Sequence, residues 1–180
     1  MSDPHNPARI GEKWNQERID LMEREIRQIS KLVPILLSGG WAWHFISQRP
    51  HDEIKIFHDH KDIDIFIEPT DFPKAIQCFT THAYVRAKTQ HDDPSGDFYR
   101  YTKYFDVGKG KIVFDVFLEE FKVMGYVEID GMKIVDPKYL ISLYSTKHDS
   151  KECVAVIEAK KLIAKGISPI GRKELTTVKI

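Results

Sequence analysis

Three aspartates carry the chemistry this sequence offers. Asp62 and Asp64 flank Ile63 in KDIDIF (61–66), and Asp115 lies inside IVFDVFL (112–118). Side chains of a strand alternate between its faces, so Asp62, Asp64 and Phe66 share one face while Ile63, Ile65 and Ile67 share the other. Carboxylates two residues apart on a strand have Cβ atoms roughly 7 Å apart, so their oxygens can converge on one or two cations. An ordinary strand edge facing water is the alternative. Asp115 is harder to leave unexplained, because its neighbours are apolar and an unpaired buried carboxylate is costly. It needs a cation, a hydrogen-bond partner or a proton. A salt-bridged or hydrated Asp on a half-exposed strand meets the same need. If the two strands lie side by side, three carboxylates meet at one place.

A further piece is LLSGGWAWHF (36–45), where an apolar strand runs through Ser38, Gly39 and Gly40 into a helix. Glycine lets the backbone approach a ligand closely. A new helix N-terminus offers unpaired N–H groups and a partial positive charge, both suited to phosphate. A plain strand-to-helix turn is the alternative.

The surrounding elements must position these residues. Ile19, Met22, Ile26, Ile29 and Val33 recur at steps of three and four, which predicts an amphipathic helix over 14–33, ended by Pro34. Residues 35–37 form a short buried strand and 41–47 a short helix. Residues 54–57 and 62–68 read as strands, and Asp71 as the cap of a helix over 72–81. AYVRA (83–87) is a strand. Residues 98–107 and 112–120 form a hairpin with Gly108 and Gly110 in its turn. A second hairpin turns at Asp130-Gly131, which fits a type I′ turn. Pro137 opens a helix over 137–145. Asp149 or Ser150 caps a last one, roughly 151–165, stopped by Gly166. Strands and helices mix without regular alternation, so the expected class is α+β, a mixed twisted sheet flanked by helices. The expected organisation is an N-terminal arm over 1–13, one domain over 14–166 and a tail over 167–180.

Composition bounds the partners. Of 180 residues, 27 are basic and 27 acidic, so steering toward nucleic acid is not implied by charge. From Lys147 to Ile180, eight Lys or Arg stand against four Asp or Glu. This basic tail reads as a solvated helix face or as a neutraliser of an anionic ligand. Cys78 and Cys153 lack metal-ligand spacing and read as reduced, buried thiols. No apolar run approaches membrane-spanning length, so a cytoplasmic protein is expected.

Taken together, the strand leading into Gly-Gly, the Asp-x-Asp strand and the later strand Asp resemble the nucleotidyltransferase superfamily that includes DNA polymerase beta. The closest likeness is to small aminoglycoside and lincosamide nucleotidyltransferases, carried by Gly39-Gly40-Trp41-Ala42 and His60-Lys61-Asp62-Ile63-Asp64. The resemblance spans roughly residues 35–165. It implies that Asp62 and Asp64 hold Mg²⁺ on a nucleoside triphosphate (ATP being the expected one), with Asp115 completing a second metal position. It further implies that Ser38, Gly39 and Gly40 contact the β- and γ-phosphates. Asp115 would also accept the proton of the acceptor hydroxyl. Lys147 and Lys151 would neutralise phosphate charge, or else belong to a solvated helix end. The acceptor would be a small molecule such as an antibiotic, or a macromolecule as in toxin-like relatives. A homodimer or partner subunit could complete the acceptor pocket. A non-catalytic nucleotide- or partner-binding module on the same fold is the main competing reading, and a metal-dependent nuclease a weaker one.

Other chemistry is less well served. His58, His60 and Asp62 could share a face toward zinc, but His60 is expected instead to orient the loop or an aspartate. Trp41 and Trp43 are expected to pack the helix after the Gly-Gly turn. FYRYTKYF (98–105) mixes aromatic and basic residues as single-strand-binding surfaces do, yet with no net charge an ordinary hairpin surface is expected.

Overall fold

The computed structural model describes residues 16–46, 62–89, 96–104, 110–136 and 138–139. The expected arm and tail, the strand over 54–57, the last helix, His58, His60, Lys147, Lys151, Gly108 and Cys153 lie outside the described residues, as does the side chain of Trp43. So does nearly all of the helix expected over 137–145.

The chain begins with α1 (Gln16–Leu32) and continues through β1 (Leu36–Leu37), α2 (Gly39–Ile46) and β2 (Ile63–Ile67). A 3₁₀ turn over Pro69–Asp71 leads into α3 (Phe72–Thr81). The remaining elements are β3 (Val85–Ala87), β4 (Phe98–Tyr104), β5 (Lys111–Leu118), α4 (Phe121–Met124), β6 (Tyr126–Ile129) and β7 (Met132–Val135). The seven strands form one sheet in the order β3-β4-β5-β2-β1-β7-β6. β2 runs parallel to β5 and antiparallel to β1, and β1 runs parallel to β7. The sheet is therefore mixed, and the architecture is the expected α+β.

The apolar stripe of α1 does what its spacing requires. Ile19, Met22, Ile26 and Ile29 are at most 1% exposed, and they join one core with Ile63, Ile65, Ile67, Phe114 and Val116. α3 adds Ala75, Cys78 and Phe79 to the same core. The Phe79 ring stacks on Tyr101 at 4.5 Å and meets Phe114 edge-on at 5.4 Å. By strand alternation these residues define the helix-covered face of the sheet, and the aspartates lie on the opposite one.

Several local expectations are met and some are corrected. Asp130 (φ 51°) and Gly131 (φ 76°) are both left-handed, as a type I′ turn between β6 and β7 demands. Asp71 stands at the start of α3 but makes no side-chain capping hydrogen bond, because the preceding 3₁₀ turn already organises the entry. α2 begins at Gly39, so both glycines belong to its first turn instead of preceding it. The short α4 was not foreseen. Its N-terminus is held by Glu68, whose carboxylate accepts from the Phe121 N–H at 3.2 Å.

The strand β4, Phe98–Tyr104, is not the ordinary surface expected of it. Tyr101 is 4% exposed, and Lys103 Nζ lies 2.9 Å from the buried carboxylate of Glu25. Glu25 also accepts from the Tyr84 hydroxyl at 2.7 Å. Burial pushes the Tyr84 phenol far up, with the Glu25 hydrogen bond adding to it. This network ties α1 to β4, the strand that carries Arg100.

Candidate active site

The site forms where β1, β2, β5 and β4 lie side by side at the centre of the sheet. The β2–β5 register places Asp64 directly beside Asp115, and the β5–β4 register places Asp115 opposite Arg100. A single row across three strands thus reads Asp64, Asp115, Arg100. Asp62 stands just ahead of β2 and turns toward the same row, its Oδ2 3.5 Å from an Arg100 terminal nitrogen.

Arg100 binds Asp115 through both prongs of its fork. Nε donates to Oδ1 and the terminal nitrogen to Oδ2, each at 2.6 Å. Such bidentate geometry is the strongest arrangement available to a guanidinium and a carboxylate. The Asp115 side chain is 10% exposed and that of Arg100 28%, so the pair sits at the floor of the site. Arg100 is held charged beyond its ordinary range, chiefly by the Asp115 hydrogen bonds, with the Asp62 and Asp64 charges adding. The need for a partner that Asp115 presented in the sequence is met by this arginine. Nothing in the local pattern FYRYTKYF says that Arg100 points inward, since only the register against β5 decides that. The one usable signal was the odd–even alternation that sets Arg100 apart from Tyr99 and Tyr101.

The glycine turn abuts the same row. The Ser38 N–H donates to the Asp64 carbonyl at 2.8 Å, and the Ser38 carbonyl accepts from the Ala42 N–H at 3.1 Å, closing the first turn of α2. Gly39 has φ 62°, and a Cβ built there would overlap the Asp64 carboxylate, 2.9 Å from its Cγ. Only glycine therefore lets the start of α2 press against Asp64. Ser38, Gly39 and Gly40 are all buried. Favourable interaction of the helix N-terminus with a nearby carboxylate adds to the fit.

α2 is fixed from its far side. His44 Nε2 lies 3.3 Å from Glu23 Oε2, and Arg27 pairs with the same carboxylate at 2.9 Å. The His44 hydrogen bond, seconded by Arg27, holds the Glu23 carboxyl down to about 2. Trp41, fully buried as expected, packs its ring 4.6 Å from that of His44.

Beside the charged row runs an aromatic one. Phe66, Phe117 and Phe98 are register partners across β2, β5 and β4. Their rings stand 5.5 Å and 5.1 Å apart. All three are half-buried.

Asp62, Asp64, Asp115, Ser38, Gly39 and Gly40 are thus brought into one neighbourhood, whereas Lys147 and Lys151 lie outside the described residues. No group of three or more His, Cys, Asp or Glu among the described residues is arranged to hold a metal ion. Arg100 stands among the acids and engages both oxygens of Asp115. No helix among the described residues is long and apolar enough to cross a membrane.

No protein-family model and no curated protein matches the sequence. Among solved structures, the chain is similar to the solution structure of the antibiotic-resistance factor ANT(2'')-Ia. The TM-score is 0.51 at 12% identity, over 84% of this chain and 88% of that one. A crystal structure of ANT(2'')-Ia in complex with adenylyl-2"-tobramycin aligns with a TM-score of 0.49 at 11% identity, over 87% of this chain and 95% of that one. What the chain shares with the first is its fold.

Proposed function

We propose that the protein is a Mg²⁺-dependent nucleotidyltransferase, moving a nucleoside monophosphate from a triphosphate such as ATP to a hydroxyl acceptor. The observation that carries this reading is the placement of Asp64 between Gly39 on one side and Asp115 on the other. The donor set fits the ion. Asp62 and Asp64 offer hard oxygens, and Mg²⁺ ordinarily takes one or two carboxylates, with phosphate and water oxygens completing its shell. When bound, Mg²⁺ supplies neutralisation and orientation of the triphosphate.

The chain's own groups do the rest. Ser38, Gly39 and Gly40 receive the β- and γ-phosphates at the start of α2. The acceptor oxygen bonds to the α-phosphorus while the bond from that phosphorus to the bridging oxygen breaks. Pyrophosphate leaves with the electron pair of that bond, and the acceptor's proton passes to a base. Asp115 serves as that base only if its pair with Arg100 opens, since both of its oxygens are engaged there. An antibiotic as the acceptor is one form of this reading, supported by the shared fold.

That same ion pair favours a second reading, a module that binds nucleotide without transferring it. Mg-ATP binding followed by a screen of hydroxyl acceptors for pyrophosphate release separates the two. Asp64→Asn is expected to abolish metal-dependent nucleotide binding. Unchanged binding and transfer in that variant would exclude the proposed site.

A further inference from the structure

We propose that Arg100 is a phosphate-binding residue of this site and that Asp115 is the anchor that aims it. The inference rests on the nucleotidyl-transfer reading and adds to it the group that meets the nucleotide from the β4 side. Exposure separates the two partners. The Asp115 side chain is 10% exposed and that of Arg100 28%, so the guanidinium is the more accessible of the pair.

Geometry shows what the arginine has left to give. Nε and Nη2 donate to Asp115 at 2.6 Å each, and Nη2 also stands 3.5 Å from Asp62. The other terminal nitrogen, Nη1, makes no hydrogen bond or ion pair with the described residues. A guanidinium is planar and rigid, so clamping Nε and Nη2 also fixes the direction of the Nη1 donors. Donors held in place beforehand lose little freedom when a ligand arrives. The group stays charged throughout, and its N–H geometry suits phosphate oxygens. Position narrows the contact further. The row runs from Gly39 past Asp64 and Asp115 to Arg100, so the guanidinium lies across Asp64 from the start of α2. With the terminal phosphates received at α2, Arg100 meets the nucleoside end of the triphosphate.

Calorimetric titration of Mg-ATP and Mg-ADP into the wild type and two variants tests this. Combining Arg100→Met with Asp115→Asn removes both charges, so no bare carboxylate is left behind. Its affinity for both nucleotides is expected to fall about tenfold or more, as the loss of a hydrogen bond to a charged group costs. If Arg100 serves only to neutralise Asp115, this double variant binds as the wild type does, and the inference is overturned. Arg100→Lys keeps an ion pair with Asp115 but has a single nitrogen, so the same loss is expected. Wild-type affinity in Arg100→Lys overturns the inference as well, and that variant decides the matter if the double variant does not fold. A loss seen with ATP and not with ADP places Arg100 on the terminal phosphate and overturns its assignment to the nucleoside end. In each of these cases nucleotide binding by the wild type leaves the nucleotidyl-transfer reading standing. A wild type that binds neither nucleotide overturns both.

Discussion

Gly39 and Gly131 share a left-handed backbone, yet they differ in what a side chain would meet. At Gly131 an added Cβ finds open space, whereas at Gly39 it overlaps the Asp64 carboxylate. Alanine at either position pays the backbone cost of a left-handed residue, about 1–2 kcal/mol. Both variants should therefore melt several degrees lower. Only Gly39→Ala also pushes Asp64 aside, so under the proposed function it alone is expected to lose Mg-ATP binding, by about tenfold or more, as the loss of one contact to a charged group costs. Thermal melts and nucleotide titrations of the two variants test this. Glu23 gives a second residue-scale prediction. Its carboxyl falls from an ordinary 4.5 to about 2 on folding. A depressed folded value means a contribution to stability that is present above pH 4.5 and lost as pH falls toward 2. Glu23→Gln should remove that part of the acid sensitivity while lowering the melting temperature at neutral pH, as read from melts across that range. The acids and the glycine turn were legible in the sequence because each breaks its local pattern: charge in an apolar strand, Gly-Gly at a helix start. Arg100 was not, since its neighbours gave it the look of a surface residue.

At the scale of elements, the site depends on how β4 is held. Lys103 and Arg100 project from opposite faces of that strand, one to Glu25 of α1 and the other to Asp115 of β5. Removing the Tyr84 hydroxyl deprives the buried Glu25 carboxylate of a 2.7 Å hydrogen bond. Tyr84→Phe is expected to cost about 1–3 kcal/mol, as hydrogen bonds to charged groups do, and to be measured by denaturant unfolding. Nucleotide affinity should fall by less than it does in Gly39→Ala, because β4 keeps its pairing with β5. Helix α1, the strands β2 and β5 and the Asp130-Gly131 turn were readable because each obeys a local rule of period or dihedral angle. The order of strands was not, because pairing is chosen by contacts between distant segments that no local pattern encodes. The missing Asp71 cap has a similar cause: its type favours capping, but the turn before it had already set the helix entry.

The whole molecule carries no formal net charge. Its three acids and one arginine therefore act as a local field on a neutral body, and long-range attraction of a polyanion is weak. Raising salt from about 50 to about 200 mM is expected to change the Mg-ATP association rate by less than about threefold, in stopped-flow measurements, since only the screened surface field is affected.

The parallel pairing of β2 with β5 bears on how the chain folds. Arg100 and Asp115 belong to adjacent strands of one antiparallel pair, close in sequence, whereas Asp64 reaches Asp115 only after α3, β3 and β4 have been threaded between them. Loop-closure entropy favours the local pairing first. A hairpin formed first would meet β2 with Asp115 already neutralised, which would spare the closing sheet the desolvation of a bare carboxylate. In that order of events the guanidinium serves the assembly of the sheet itself.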